Sequence, residues 1–232
     1  EVARQFADHD WVSAPVVDEN NVLLGRITVD DVIDIIRDQA EHQALGAAGL
    51  DEDEDLFAPV PRTTRRRAVW LGINLLTAFL ASWVIGNFEH VLQKVVACAV
   101  LMPIVASMGG VAGTQVLTLM VRALALGQVS ASNAVPLLRK ELLVAFANGV
   151  LWAVAVGGVA LVVYRDVLLA AAFGAAMEIN LLAAALSGVF LPLLLQRMRI
   201  DPALAGGVIL TTVTDCCGFA SFLGLSTLFM LH

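Results

Sequence analysis

The 232 residues are 59% hydrophobic and only 15% charged, with a mean hydropathy of +0.81. A soluble domain is ordinarily nearer half apolar and a quarter charged, so a wholly soluble fold is excluded. Residues 1–60 hold fifteen acids against three bases, whereas 61–232 hold six acids against eleven bases, for a net charge of -7. An acidic soluble part therefore precedes a hydrophobic, slightly basic one. Nucleic-acid binding has little support, because the only basic cluster, Arg62 and Arg65–Arg67, abuts an apolar stretch. No signal peptide is visible at the acidic, polar start.

Residues 2–10 read as a helix. The stretch "SAPVVDENNVLLGRITV" alternates and turns, which predicts strands over 13–18 and 22–29 around Glu19, Asn20 and Asn21. "DDVIDIIRDQAEHQA" follows with Val32, Ile35 and Ile36 at helical spacing and Asp30 or Asp31 as N-cap. A helix–strand–strand–helix piece of this size is too small to hold a core alone. It resembles the second half of a CBS motif, whose strand-to-helix turn "GRITVDD" at 25–31 fits. The motif's first strand is missing, so the chain reads as part of a longer protein. Residues 1–41 are thus the end of a CBS module and 42–67 a connector, whose acidic run Asp51–Asp55 reads as a solvated turn.

Five apolar stretches occupy 68–232: roughly 68–87, 91–121, 142–164, 167–195 and 203–231. Each reaches the ~20 residues needed to cross a hydrocarbon core. With the N-terminus in the cytoplasm, Arg62, Arg65, Arg66, Arg67, Arg122, Arg139, Lys140, Arg197 and Arg199 fall inside, and only Lys94 and Arg165 outside. The positive-inside rule then predicts N-in and C-out. The fold class expected is an all-α membrane domain of five helices behind a partial α/β module.

The last stretch carries Asp215 within "ILTTVTDCCGF". Around it Gly207, Thr211, Thr214, Gly218 and Ser221 recur every three or four residues, a small or polar stripe on one helix. Small residues alone would make a helix-packing face. An aspartate at the bilayer centre costs roughly 3 kcal/mol even on the lenient insertion scale, so it should face a partner or a water-filled path. One carboxylate cannot neutralise a divalent cation, but two related by a twofold axis bring two to one point. With hydroxyls, carbonyls and water around it, such a site suits Mg2+, which sheds its waters reluctantly. The cysteines, Cys98, Cys216 and Cys217, lie in apolar runs without a CxxC spacing, so disulfide and zinc readings are weak.

A second constellation is "PIVASMGGVAGTQ" at 103–115, where Pro103 frees a carbonyl near Ala99 and Gly109, Gly110 and Gly113 expose backbone. Read alone, this is a close-packing face or a cavity wall; beside an aspartate-bearing helix the pore reading gains. Glu89 in "NFEH" falls at the outer mouth, where it attracts cations or is an ordinary loop acid. Glu141 reads as an interfacial ion-pair partner, and Asp201-Pro202 as an N-cap with Pro at the first helical position. Glu178 and Asn180 lie inside the fourth stretch without a partner that the sequence names.

The chain resembles the MgtE family of magnesium channels or transporters over essentially its whole length. The matching motifs are "GRITVDDVIDII", "WL" at 70–71, "GNFEHVL" at 86–92, "MGGVAGTQ" at 108–115, "DPA" at 201–203 and "TTVTDCCGF" at 211–219. The resemblance implies a homodimer in the lipid bilayer of a bacterial cell (inner) membrane, with a pore between subunits lined by the second and fifth helices. It implies that Asp215 holds a hydrated Mg2+ with Thr211 and Thr214 nearby, that Gly109, Gly110, Gly113, Gly207 and Gly218 line the pore, and that cytosolic Mg2+ binding to acidic surfaces closes it. It also allows ATP at Thr28 and Asp31. The family usually has Asn where this chain has Val111, and commonly Asn where it has Thr114. The alternative is a proton-coupled exchanger of Mg2+, Co2+ or Mn2+ with Asp215 as proton carrier. An intramembrane aspartyl protease would need two carboxylates in one site, for which Glu178 is the only other candidate at depth, so no enzyme is expected. A sensor that merely anchors its CBS part would have no use for the polar stripe.

Overall fold

The computed structural model describes residues 2–50, 57–129 and 133–230. The chain divides into two compact units, residues 1–56 and 57–232. In the first, α1 (Val2–His9), β1 (Ser13–Val17), β2 (Leu23–Thr28) and α2 (Val29–Ala47) follow in order. β1 and β2 pair antiparallel with Ser13 opposite Thr28 and Pro15 opposite Arg26. The turn between them is held by the Asp18 carboxylate, which accepts from the Asn20 and Val22 N–H groups at 2.8 Å each. Asn21 takes the left-handed conformation there, with φ of 60°, which asparagine tolerates. Among the described residues of this unit, Phe6 and Val32 are the buried apolar side chains, whereas Ile35 and Ile36 are exposed. α1 and β2 pack on α2 and cover only one side of it, so the rest of its apolar spacing goes unburied.

The N-cap of α2 is Thr28, not Asp30 or Asp31. Asp31 instead reaches back: its carboxylate accepts from the Thr28 N–H at 2.9 Å and from the Thr28 hydroxyl at 2.8 Å. The acid that looked like the cap is therefore the third helical residue of a capping box. Of the connector, residues 42–47 continue α2, 60–67 open the next helix, and the Asp51–Asp55 run lies outside the described residues.

The second unit contains α3 (Val60–Gly86), the short α4 (Glu89–Lys94), α5 (Val96–Ala125), α6 (Ala134–Tyr164), α7 (Val167–Arg197) and α8 (Pro202–Met230). All but α4 are long and apolar enough to cross a membrane. The second span, expected as one run over 91–121, starts later because extended backbone at Val95 separates α4 from α5. The third starts earlier, at Ala134, since Arg139, Lys140 and Glu141 lie within the first turns of α6 rather than before it. A helix is not obliged to stop where hydrocarbon does. Polar caps mark two starts: Asp166 accepts from the Leu168 and Leu169 N–H groups, and Asp201 from that of Ala203 at 2.8 Å, with Pro202 as the first helical residue of α8.

α7 is the centre of this unit and packs against α5, α6 and α8, while α3 lies on α8. α5 and α8 also pack on each other, whereas α5 and α6 barely touch. The core between them includes Val105, Leu169, Phe173, Phe222 and Leu223, all at most 2% exposed, with the two phenyl rings 5.5 Å apart. Pro103 sits inside α5 without ending it, as membrane helices allow when neighbours surround the freed backbone.

Candidate functional site

α5 and α8 bound a groove of about 440 Å³ on the surface of the chain. From α5 it is lined by Ala106, Ser107, Gly110, Val111, Thr114 and Gln115, and from α8 by Thr211 and Asp215. These positions follow the three-and-four spacing of one helix face. The chemistry of the polar lining is that of oxygen acceptors. The Thr114 hydroxyl donates to the Gly110 carbonyl at 2.8 Å, and that of Thr211 to the carbonyls of Gly207 and Val208 at 3.1 and 3.0 Å. A hydroxyl that spends its proton on its own helix keeps its lone pairs for whatever enters the groove. Asp215 adds the only carboxylate among the lining residues. No group of three or more His, Cys, Asp or Glu side chains placed to hold a metal ion exists among the described residues.

The residues nominated from the sequence separate into two faces. Asp215, Thr211 and Gly110 come together in the groove. Thr214 is fully buried on the other side of α8, its hydroxyl donating to the Thr211 carbonyl at 3.1 Å. Gly113 is buried against Leu210, whose side chain a Cβ would meet at 2.9 Å. Gly109 and Gly218 are buried against Asn180 of α7, while a Cβ at Gly207 would meet nothing within 4 Å. Cys216 and Cys217 are half-buried and outside the groove lining. Ser107 and Gln115 are groove residues that the sequence reading passed over. Their signal was available, since 107, 111, 114 and 115 share a helix face with Gly110.

The remaining acids lie elsewhere. Glu89 is exposed on α4 and accepts from the Gln93 amide at 3.1 Å. Glu141 is 8% exposed and 3.6 Å from the Lys140 ammonium. Glu141 also lines a second cavity of about 470 Å³ between α5 and α6, with Asn148 of its own helix and Gln115 of α5. Both carboxylate oxygens of Glu178 are buried without a hydrogen-bond partner, packed against Gly149 of α6. In the first unit, the two hydrogen bonds from Thr28 hold the Asp31 carboxyl below the usual carboxylate range.

The five apolar helices make this a polytopic helical membrane protein, with a half-buried carboxylate, Asp215, in a lateral groove whose lining is mostly small and apolar. The profile of the MgtE family, described as a divalent cation transporter, matches residues 102–225, and that of the CBS domain matches residues 1–38. The chain belongs to the MgtE family. It is 32% identical over 232 residues to the magnesium transporter MgtE of Bacillus subtilis. It is 31% identical over 232 residues to that of Enterococcus faecalis, and 32% over 234 to that of Thermus thermophilus. Each alignment takes in at least 99% of this chain but 51% of the relative, so the chain spans about half the length of the curated relatives it matches.

Proposed function

We propose that the protein transports Mg2+ across the cell membrane, passing the hydrated ion through a pore formed where two copies of the α5–α8 groove face each other. The observation that carries this reading is Asp215, a carboxylate within a membrane-spanning helix that lines a groove together with Ser107, Thr114, Gln115 and Thr211 among small and apolar residues. A single such acid under-neutralises a divalent ion, and a second copy supplies the matching charge. Val111, 56% exposed at the groove's edge, is apolar surface of the kind that a second copy would cover. Residues 1–41 then serve as the end of a CBS module, 42–67 as the connector and 68–232 as the pore domain, oriented N-in and C-out. The fifteen acids of residues 1–60 support closure by cytosolic Mg2+, because clustered carboxylates repel until a divalent cation neutralises them. Glu89 belongs to the outer mouth in this scheme, and an adenine nucleotide at Thr28 and Asp31 is the added reading that the CBS likeness supports.

The test is Mg2+ uptake by the full-length protein in proteoliposomes. Asp215→Ala should lower the initial rate by about tenfold or more, the scale on which loss of one well-placed charge acts. Wild-type flux in that variant would remove the assignment. The second reading, exchange of Mg2+, Co2+ or Mn2+ for protons on Asp215, expects flux to collapse an imposed pH gradient in fixed proportion to the metal carried.

A further inference from the structure

The groove has a back as well as a front, and its back is built around one amide. Asn180 of α7 is 0% exposed and touches both groove helices. Its Nδ2 donates to the Val105 carbonyl on α5 at 2.8 Å. A Cβ on Gly109 of α5 would collide with that amide, and one on Gly218 of α8 would lie 2.8 Å from Nδ2. The asparagine thus fills a slot that exists only because both helices carry glycine at this level. The groove lies at the same level on the opposite side. Ala106 and Gly110 are the chain neighbours of Val105 and Gly109, and Asp215 is three residues before Gly218.

Plain packing would be served better by leucine. The Oδ1 atom of Asn180 is buried without a hydrogen-bond partner, which is destabilising for any residue kept only to fill space. What the amide does that leucine cannot is tie its own helix to a fixed backbone atom of α5 while pressing on α8. In some proteins a polar group kept in a core at the expense of stability serves to specify a single arrangement. We propose that Asn180 is a positioning residue, a wedge that sets the spacing of α5 and α8 at the level of Asp215 and thereby the cation discrimination of the groove. The second half of this statement rests on the transport reading above; the first half does not.

The two halves are tested together on the full-length protein. Gly109→Ala, Asn180→Ala and the double variant are compared for thermal unfolding in detergent and for Mg2+ and Ca2+ uptake in proteoliposomes. Gly109→Ala puts a methyl into the amide, so it should lower both unfolding temperature and Mg2+ uptake, the latter about tenfold. Asn180→Ala vacates the slot, so the double variant should recover most of what Gly109→Ala lost. Losses that simply add would overturn the wedge. That comparison of unfolding temperatures stands even if the wild-type protein carries no Mg2+, a result that would instead overturn the transport reading. Asn180→Leu keeps the volume but loses the donor to Val105. It should change the ratio of Mg2+ to Ca2+ uptake by about fivefold, a readout that a loss of folded protein leaves untouched. An unchanged ratio in both Asn180→Leu and Asn180→Ala would overturn the link from wedge to discrimination.

Discussion

Two helices of the membrane unit, α3 and α7, have the same mean hydropathy of 1.9 over their most apolar windows, yet 6% of that window is buried in α3 and 56% in α7. Part of the difference lies in residue size. Beside large buried residues such as Phe173, Met177 and Leu181, α7 presents Ala172, Gly174, Ala176, Ala184, Ala185 and Gly188 to its neighbours, all of them buried. α3 presents Leu71, Leu76, Phe79 and Trp83, each more than 60% exposed. Inside a membrane there is no hydrophobic force between helices, because lipid tails are as apolar as leucine. Close approach of backbones helps a helix to become the centre, and small residues permit it. Hydropathy therefore reports that a helix enters the membrane, and small residues report what it meets there.

The same substitution made in both helices puts this contrast at risk. Gly188→Ala in α7 has the largest expected effect. A Cβ there would lie 2.8 Å from the Val116 side chain and 3.1 Å from the Gly113 carbonyl oxygen, which is backbone and cannot swing aside. Overpacking of this kind destabilises by about 1–3 kcal/mol, of which better helix propensity returns at most about 1. A lowered unfolding temperature in detergent is the expected outcome, and a raised one would mean that α5 and α7 are not in contact at this level.

Comparable in size and opposite in sign is Glu178→Met, also in α7. The carboxylate oxygens of Glu178 have no hydrogen-bond partner in the protomer. Replacing an unsatisfied buried polar group by an apolar one of similar shape removes a penalty of about 1–3 kcal/mol. The variant should unfold at a higher temperature than wild type. A lower temperature would sharpen the comparison in another way, by revealing that a second copy or a bound ion satisfies Glu178 and that α7 is not packing alone.

The five spans were legible because length and apolarity are local properties of the sequence, and Asp215 because a charge in such a run stands out. What the sequence withheld is which side of a helix meets which neighbour. Gly109 and Gly110 are adjacent in sequence, and a helix turns about 100° between them. That turn sends Gly110 to the groove and Gly109 to Asn180. Thr211 and Thr214 divide in the same way, one on the groove and the other fully buried. A stripe of small and polar residues reads as one surface until the neighbours are placed, and here it is two. The N-cap of α2 went to Thr28 for a related reason: Asp30, Asp31 and Thr28 all suit the position, and only the reach of Asp31 back to the Thr28 N–H assigns the roles.

The smallest expected effect belongs to Gly72→Ala in α3, the counterpart of the substitution at Gly188. A Cβ at Gly72 would meet nothing within 4 Å in the protomer. With no clash to oppose it, the intrinsic preference of a helix interior for alanine over glycine should raise stability by about 0.5–1 kcal/mol. A small rise in unfolding temperature for Gly72→Ala beside a clear fall for Gly188→Ala is the paired result that burial demands. A fall at both positions would mean that the face of α3 bearing Gly72 is covered in the assembled protein. The surface that covers it would then have to belong to another copy of the chain or to a segment outside the described residues.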